Sequence, residues 1–271
     1  MALTFPDIDP VAIQIGPLAV RWYALAYIAG ILLGWRHLLW LNRGSFRIMS
    51  RQSTDDLIVW VMLGIVLGGR SGYVLFYKPE YYLANPLEIL FVWEGGMSFH
   101  GGLLGVVVSL IVFARRRAVD VLSLGDLIAC VAPIGLFLGR IANFINGELF
   151  GRPSDVPWAM VFPRGGPVPR HPSQLYEALF EGIILFAVLL AASRSEAVRA
   201  RPGMLAGMFL LGYGLARSFV ELYREPDAFI GFLAGSLTIG QLLSLPMIAA
   251  GYWLFDSALR RRSIREVRPP S

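Results

Sequence analysis

The sequence predicts an all-α polytopic membrane protein with seven transmembrane helices, an outside N-terminus, a cytoplasmic C-terminus and a small external cap. Three observations carry that prediction. Of 271 residues, 56% are hydrophobic and only 16% charged, whereas a soluble domain would be ~25% charged. Several apolar runs approach the ~20 residues that a helix needs to cross the hydrocarbon core. The arginines gather in alternate connections between those runs.

The runs fall at about 17–41, 56–77, 97–114, 122–146, 173–192, 203–224 and 237–258. A helix satisfies its own backbone, so it is the expected form of each run in lipid. Glycines recur four apart at Gly30/Gly34, Gly64/Gly68/Gly72, Gly135/Gly139 and Gly203/Gly207, a spacing that lets membrane helices approach closely. No basic residue precedes Arg21, so the first span lacks the charged start of a cleavable signal and is expected to remain. The chain reads as one integral membrane domain over 1–271. Within it, the Gly- and Pro-rich connection 147–172 is the one long outer loop able to form the cap.

Orientation follows from charge. The connections 42–55, 115–122 and 193–202 and the tail 259–271 hold Arg43, Arg47, Arg51, Arg115, Arg116, Arg117, Arg194, Arg199, Arg201, Arg260, Arg261, Arg262, Arg265 and Arg268, 14 of the 24 Lys and Arg. The opposite loops hold only Lys78, Arg152, Arg164 and Arg170, beside Asp7, Asp9, Glu80, Glu88, Glu94, Asp155, Glu225 and Asp227. The positive-inside rule then places the C-terminus in the cytoplasm. The net charge of +5 is accounted for by this topology and does not call for a nucleic-acid partner.

With the helices oriented, the polar groups inside the runs fall at one depth. Arg21 and Tyr23, Arg70, His100, the Arg140–Asn143–Asn146 group, His171 and Glu177, and the stripe Tyr213, Arg217, Glu221, Arg224 all lie toward the outer leaflet. Ionisable groups inside a membrane are costly and mark functional sites. Asp126, Asp256, Arg36 and His37 fall at the inner edge, where snorkelling explains them. Arg140 and Asn143 share a helix face, as do the four residues of the stripe. Such a ladder could be internal Arg–Glu pairing or a cationic wall. A forked guanidinium matches phosphate oxygens, and a lipid phosphate is the natural anion at that depth. His100, in a glycine-rich stretch, could move a proton near neutral pH.

Other chemistries find little support. Cys130 is the single cysteine; it sits in an apolar run and reads as a small buried hydrophobe. There is no cluster with metal-ligand spacing, so neither metal nor cofactor is expected. A transporter would place its binding groups near mid-membrane between repeated halves, and no repeat is visible. A purely structural protein gives no reason for the arginines to converge.

One segment carries a family pattern: Gly139-Arg140-x-Ala142-Asn143-Phe144-x-Asn146-x-Glu148-x-x-Gly151. Five collinear blocks accompany it: Arg21-Trp22-Tyr23, Gly68-Gly69-Arg70-x-Gly72-Tyr73, Gly95 to Gly102, Arg170 to Glu177, and Tyr213-Gly214-x-x-Arg217. From about residue 6 to residue 256 the chain resembles the bacterial prolipoprotein diacylglyceryl transferases. It departs mildly, with Ala142 where Gly is common, Phe150 where Trp is common, and a shorter outer loop after Gly151 than some members have.

The resemblance implies an enzyme of the bacterial cytoplasmic (inner) membrane with its active site facing the outer leaflet. It would move diacylglyceryl from phosphatidylglycerol to the lipobox cysteine thiol of a preprolipoprotein, forming a thioether and releasing glycerol phosphate. On that reading Arg140 and Arg217 hold the phosphate and stabilise the leaving group. His100 is the leading candidate for the base, with arginine-driven activation of the thiol as the alternative. Asn143 and Asn146 position the headgroup, with Gly151 in the same substrate-binding set. Glu148 orients Arg140, and Glu221 orients Arg217 or Arg224. Tyr23 and Tyr213 line the pocket.

Overall fold

The computed structural model describes residues 3–6, 8–226 and 237–261. Asp7, Asp227, Arg262, Arg265 and Arg268, which enter the charge argument, lie outside the described residues. The chain is mostly helical. Short strands β1 (Leu3–Thr4), β2 (Val11–Ile15) and β3 (Leu18–Arg21) precede α1 (Trp22–Leu41), α2 (Arg51–Phe76), α3 (Pro79–Ala84), α4 (Phe99–Arg117) and α5 (Val121–Ile145). Strand β4 (Met160–Val161) follows. Next, α6 (Ser173–Glu177), a π turn over Ala178–Ile184 and α7 (Leu185–Arg194) run as one 22-residue helix. The short α8 (Glu196–Arg199), then α9 (Met204–Val220) and α10 (Ile239–Arg260), complete the order.

Among the described residues, five helices are long and apolar enough to cross a membrane: Trp22–Phe46, Arg51–Phe76, Val121–Ile145, Ser173–Arg194 and Ile239–Arg260. Helix α9 is apolar but shorter, at 17 residues. The 19-residue α4 has a glycine-rich start and three arginines at its end. The first apolar run is corrected at its start. Residues 18–21 pair antiparallel with β2 as a hairpin, and the helix begins only at Trp22.

The chain divides into two compact units, one of Met1–Leu38 with Asp126–Ser271, the other of Leu39–Gly125. In the second unit α2 and α4 pack through glycines. A Cβ on Gly105 would come within 2.0 Å of the Gly64 carbonyl oxygen, and one on Gly68 within 2.4 Å of that of Gly101. The glycines after His100 thus serve helix packing. Ser98 caps α4 by accepting from the Gly101 N–H at 3.2 Å, and His100 stands exposed in its first turn.

Arg70, which the sequence places among the outer polar groups, is buried and clamps the chain ahead of His100. Its Nε donates to the Ile89 carbonyl at 2.8 Å, its Nη1 to those of Gly95 and Gly96 at 2.6 and 3.2 Å, and its Nη2 to that of Glu88. A planar five-donor group can reach several carbonyls of an irregular segment at once.

In the first unit, Gly34 of α1 meets Val131 of α5, where a Cβ would lie 3.0 Å from Val131 Cγ1. Helix α9 packs on α10 through Gly207 and Gly251; a Cβ on Gly251 would lie 2.5 Å from the Leu211 nitrogen. Asp126 corrects the snorkelling expectation. It is 1% exposed and accepts the backbone N–H groups of Gly203 and Ala206, each at 2.8 Å. These are among the donors left open at the start of α9, so a carboxylate on α5 caps another helix and ties the two together. Asp126→Ala should destabilise the protein by about 2 kcal/mol, the scale of losing a charged acceptor from two amides. Thermal unfolding in detergent would show it, and an unchanged midpoint would mean the cap is dispensable.

Candidate active site

Helix α5 brings Arg140 and Asn143 toward its C-terminal end. Beyond Ile145 the chain turns on Gly147, at φ +61°, and Leu149, at φ +58°. The first is a conformation glycine adopts freely; the second is held from outside. Ser173 Oγ donates to the Leu149 carbonyl at 2.9 Å, and the Gln174 amide donates to that of Glu148. Both side chains are fully buried. The start of α6 therefore sets the place of Glu148.

The carboxylate so placed receives two amides. Asn143 Nδ2 donates to Glu148 Oε1 at 2.9 Å and Asn146 Nδ2 donates to the same oxygen at 3.3 Å. This corrects the expectation that Glu148 orients Arg140. The turn at Gly147 folds Glu148 back over the helix end, where the two asparagines reach it first.

Arg140 is held instead from α6 and the π turn. Its Nη1 lies 3.3 Å from Glu177 Oε2 and its Nη2 lies 3.4 Å from Glu181 Oε2. Arg217, from α9, donates to Glu177 Oε1 and lies 3.9 Å from Glu181 Oε1. Its Nη2 is 2.9 Å from Glu221 Oε2, so Glu221 lies against Arg217 as the i, i+4 stripe suggested. Arg224 Nη1 is farther out, 3.9 Å from Glu177 and 4.0 Å from Glu221. Glu177 and Glu181 have no exposed side-chain surface, while Arg140 keeps 17% and Arg217 and Arg224 11% each. The arginines thus keep a small part of their side chains exposed while they pair with buried carboxylates.

Site reasoning from sequence left Glu181 out and noted Glu177 only by depth. The signal was present: two carboxylates four apart in a run otherwise apolar enough to span a bilayer. Helix widening at Ala178–Ile184 lies between and around them, and π turns of this kind recur at functional sites. Of the two readings left open for the stripe, the contacts show Arg–Glu pairing, with three arginines against Glu177, Glu181 and Glu221.

The remaining expected residues fall as follows. The Tyr23 hydroxyl lies 3.3 Å from that of Tyr27. Tyr213 stands one turn before Arg217 on α9 and stacks on Phe209, with ring centroids 5.9 Å apart. Gly151 is wedged in the backbone; a Cβ there would come within 2.4 Å of the Tyr223 carbonyl oxygen and 2.7 Å of His171 Cβ, which accounts for glycine at that position. His100 belongs to the second unit, described above. Cys130 is buried at 1% exposure. Among the described residues no group of His, Cys, Asp and Glu is arranged to hold a metal ion.

The 147–172 segment is folded over a small apolar core that it shares with Phe5 and the end of α5. Phe162 meets Phe5, Phe144 and Phe150 with ring centroids 5.2, 6.3 and 5.5 Å away, and β4 pairs parallel with β1. Arg152 Nε donates to the Arg224 carbonyl at 2.9 Å and its Nη2 to that of Glu221 at 3.3 Å. This latches the segment to the end of the arginine stripe. Burial pushes the His171 imidazole below its ordinary value. The neutral ring can accept at Nδ1, 3.0 Å from the Tyr176 hydroxyl, which itself receives the Trp158 indole N–H at 2.6 Å.

Comparison with known proteins places this geometry. The prolipoprotein diacylglyceryl transferase family model matches residues 10–256. A phosphatidylglycerol–prolipoprotein diacylglyceryl transferase of Paramagnetospirillum magneticum is 60% identical over 261 residues, 96% of this chain and 97% of the relative. The protein of the same name from Rhodospirillum rubrum is 59% identical over 265 residues, covering 97% of both chains. One from Azospirillum brasilense is 57% identical over 263 residues, 96% of this chain and 98% of the relative. With the match running nearly end to end, the chain belongs to the prolipoprotein diacylglyceryl transferase family.

Proposed function

We infer that this chain is a transferase that carries diacylglyceryl from phosphatidylglycerol to a prolipoprotein in lipoprotein maturation. The observation that carries the reading is the convergence of Arg140 from α5, Arg217 from α9 and Arg224 just past its end onto one buried carboxylate system, with part of each arginine side chain exposed. A monoanionic phosphodiester suits clustered guanidiniums, which bind it by forked, charge-assisted hydrogen bonds.

The acceptor is the lipobox cysteine thiol of the substrate. Its sulfur forms a C–S bond to the glycerol carbon that bore the phosphate ester. The C–O bond breaks, its electron pair leaves with glycerol phosphate, and the thiol gives up its proton. A thiol with a free pKa of ~8.5 is mostly protonated at neutral pH, so a base or a cationic field speeds attack. His100 is the base on this reading. Arg140 and Arg217 stabilise charge on the leaving oxygen. Asn143 and Asn146, held by Glu148, place the headgroup, and Tyr23, Tyr213, Glu221 and Arg224 complete the binding set. Purified protein incubated with labelled phosphatidylglycerol and a lipobox peptide should yield labelled thioether. Absence of product from folded protein would sink the reading.

Seven spans complete the reading, formed by α1, α2, α4, α5, the helix Ser173–Arg194, α9 and α10. The N-terminus is outside, the C-terminus cytoplasmic, and 147–172 is an external cap over an active site at the outer leaflet of the cytoplasmic membrane. The arginine asymmetry supports this orientation. A reporter active only in the cytoplasm, fused after Ser271, should be active. A silent fusion on normally inserted protein would reject the arrangement.

A further inference from the structure

Arg140 and Arg217 come from different helices, and nothing in either helix brings two guanidiniums side by side. Like charges in a medium of low dielectric repel strongly. What joins them is Glu177, whose two oxygens are divided between them, Oε2 3.3 Å from Arg140 and Oε1 taking the Arg217 N–H. Glu181 repeats the pattern one turn on, 3.4 Å from Arg140 and 3.9 Å from Arg217. Both carboxylates are fully buried.

We propose that Glu177 and Glu181 are positioning residues for transfer: they align the Arg140 and Arg217 guanidiniums and cancel enough of their charge that the glycerol phosphate product is released. The inference rests on the transfer reading above. It follows from the count of charges. Arg140, Arg217 and Arg224 face Glu177, Glu181 and Glu221, so the carboxylates offset arginine charge and the cluster meets the phosphate through geometry and local field. Without the buried pair the same arginines would carry a net excess of positive charge. That would tighten binding of substrate and product alike, which does not accelerate the chemical step. It would also let the guanidiniums separate, and misplacement by ~1 Å at a reacting centre can cost about a hundredfold in rate.

The test is Glu177→Gln, which keeps size and removes charge. Turnover of labelled phosphatidylglycerol should fall by about tenfold or more, while glycerol phosphate inhibits more tightly than in the parent enzyme. A residue that only stabilised the fold would give slower turnover with unchanged or weaker product inhibition. Glu177→Asp, which restores the charge, should return product inhibition to the parent value and recover part of the rate. Should Glu177→Gln fail to fold, Glu181→Gln is read in the same way, with the same paired signature expected. Unchanged turnover, or slower turnover without tighter inhibition, overturns the proposal. Loss of folding in both glutamine variants also overturns it, because the pair would then be a structural clamp. An inactive parent protein would instead sink the transfer reading, so the two failures are distinguishable.

Discussion

Arg140→Lys should reduce diacylglyceryl transfer by about a hundredfold or more, the usual scale for removing a donor aimed at developing charge. Lysine keeps the charge and loses the fork. In the structure that fork matters twice. One Nη faces Glu177 and the other Glu181, and a single ammonium cannot span both and still offer a planar edge to a phosphodiester. The fold should survive, because Glu177 retains Arg217. Single-turnover rates with labelled phosphatidylglycerol, beside a melting curve, separate the two effects. Near-normal turnover would mean that charge alone suffices at this position.

His100→Gln is expected to cut turnover by about a hundredfold, within the range for a general base. Glutamine keeps much of the size and hydrogen bonding and cannot take a proton near neutral pH. Its residual rate should climb as pH rises toward the thiol's own pKa of ~8.5, because the acceptor then ionises unaided. Affinity for the donor lipid should change little. A variant that instead loses lipid affinity, with no recovery at high pH, would make His100 a positioning residue and leave thiol activation to the arginine field. The Arg70 clamp on Gly95 and Gly96 gives the segment before His100 a defined backbone in either case.

The helices were legible because their signal is local. Hydropathy summed over twenty residues places α5, the helix Ser173–Arg194 and α10 with little error in position, whereas α2 begins at Arg51, five residues before its apolar run. The start of α1 was not legible: Leu18–Arg21 is as apolar as a helix but is drawn into a hairpin with β2. Pairing with a distant strand is invisible to a window that slides along the chain. The same holds for Asp126. Its position in the run suggested headgroups, yet it caps α9, whose open N–H groups lie 77 and 80 residues away in sequence.

By itself, the sequence determined that the chain lives in a membrane, which residues are polar within the spans, and that Arg140 and Arg217 are the costly groups to explain. It also placed Tyr213 and Arg217 on one face, since a helix repeats every 3.6 residues whatever surrounds it; the stripe expected to run on to Arg224 stops short, because α9 ends at Val220 with Glu221 as its cap. Only the tertiary structure decided which partners those groups take. Glu148 went to the asparagines because the Gly147 turn folds it back over the end of α5. Arg140 went to Glu177 and Glu181 because the helix Ser173–Arg194 packs with its carboxylate face toward it. Periodicity fixes a face along one helix axis; the rotation of one helix against another is set by side chains packing across the gap, and that rotation chooses the ion pairs.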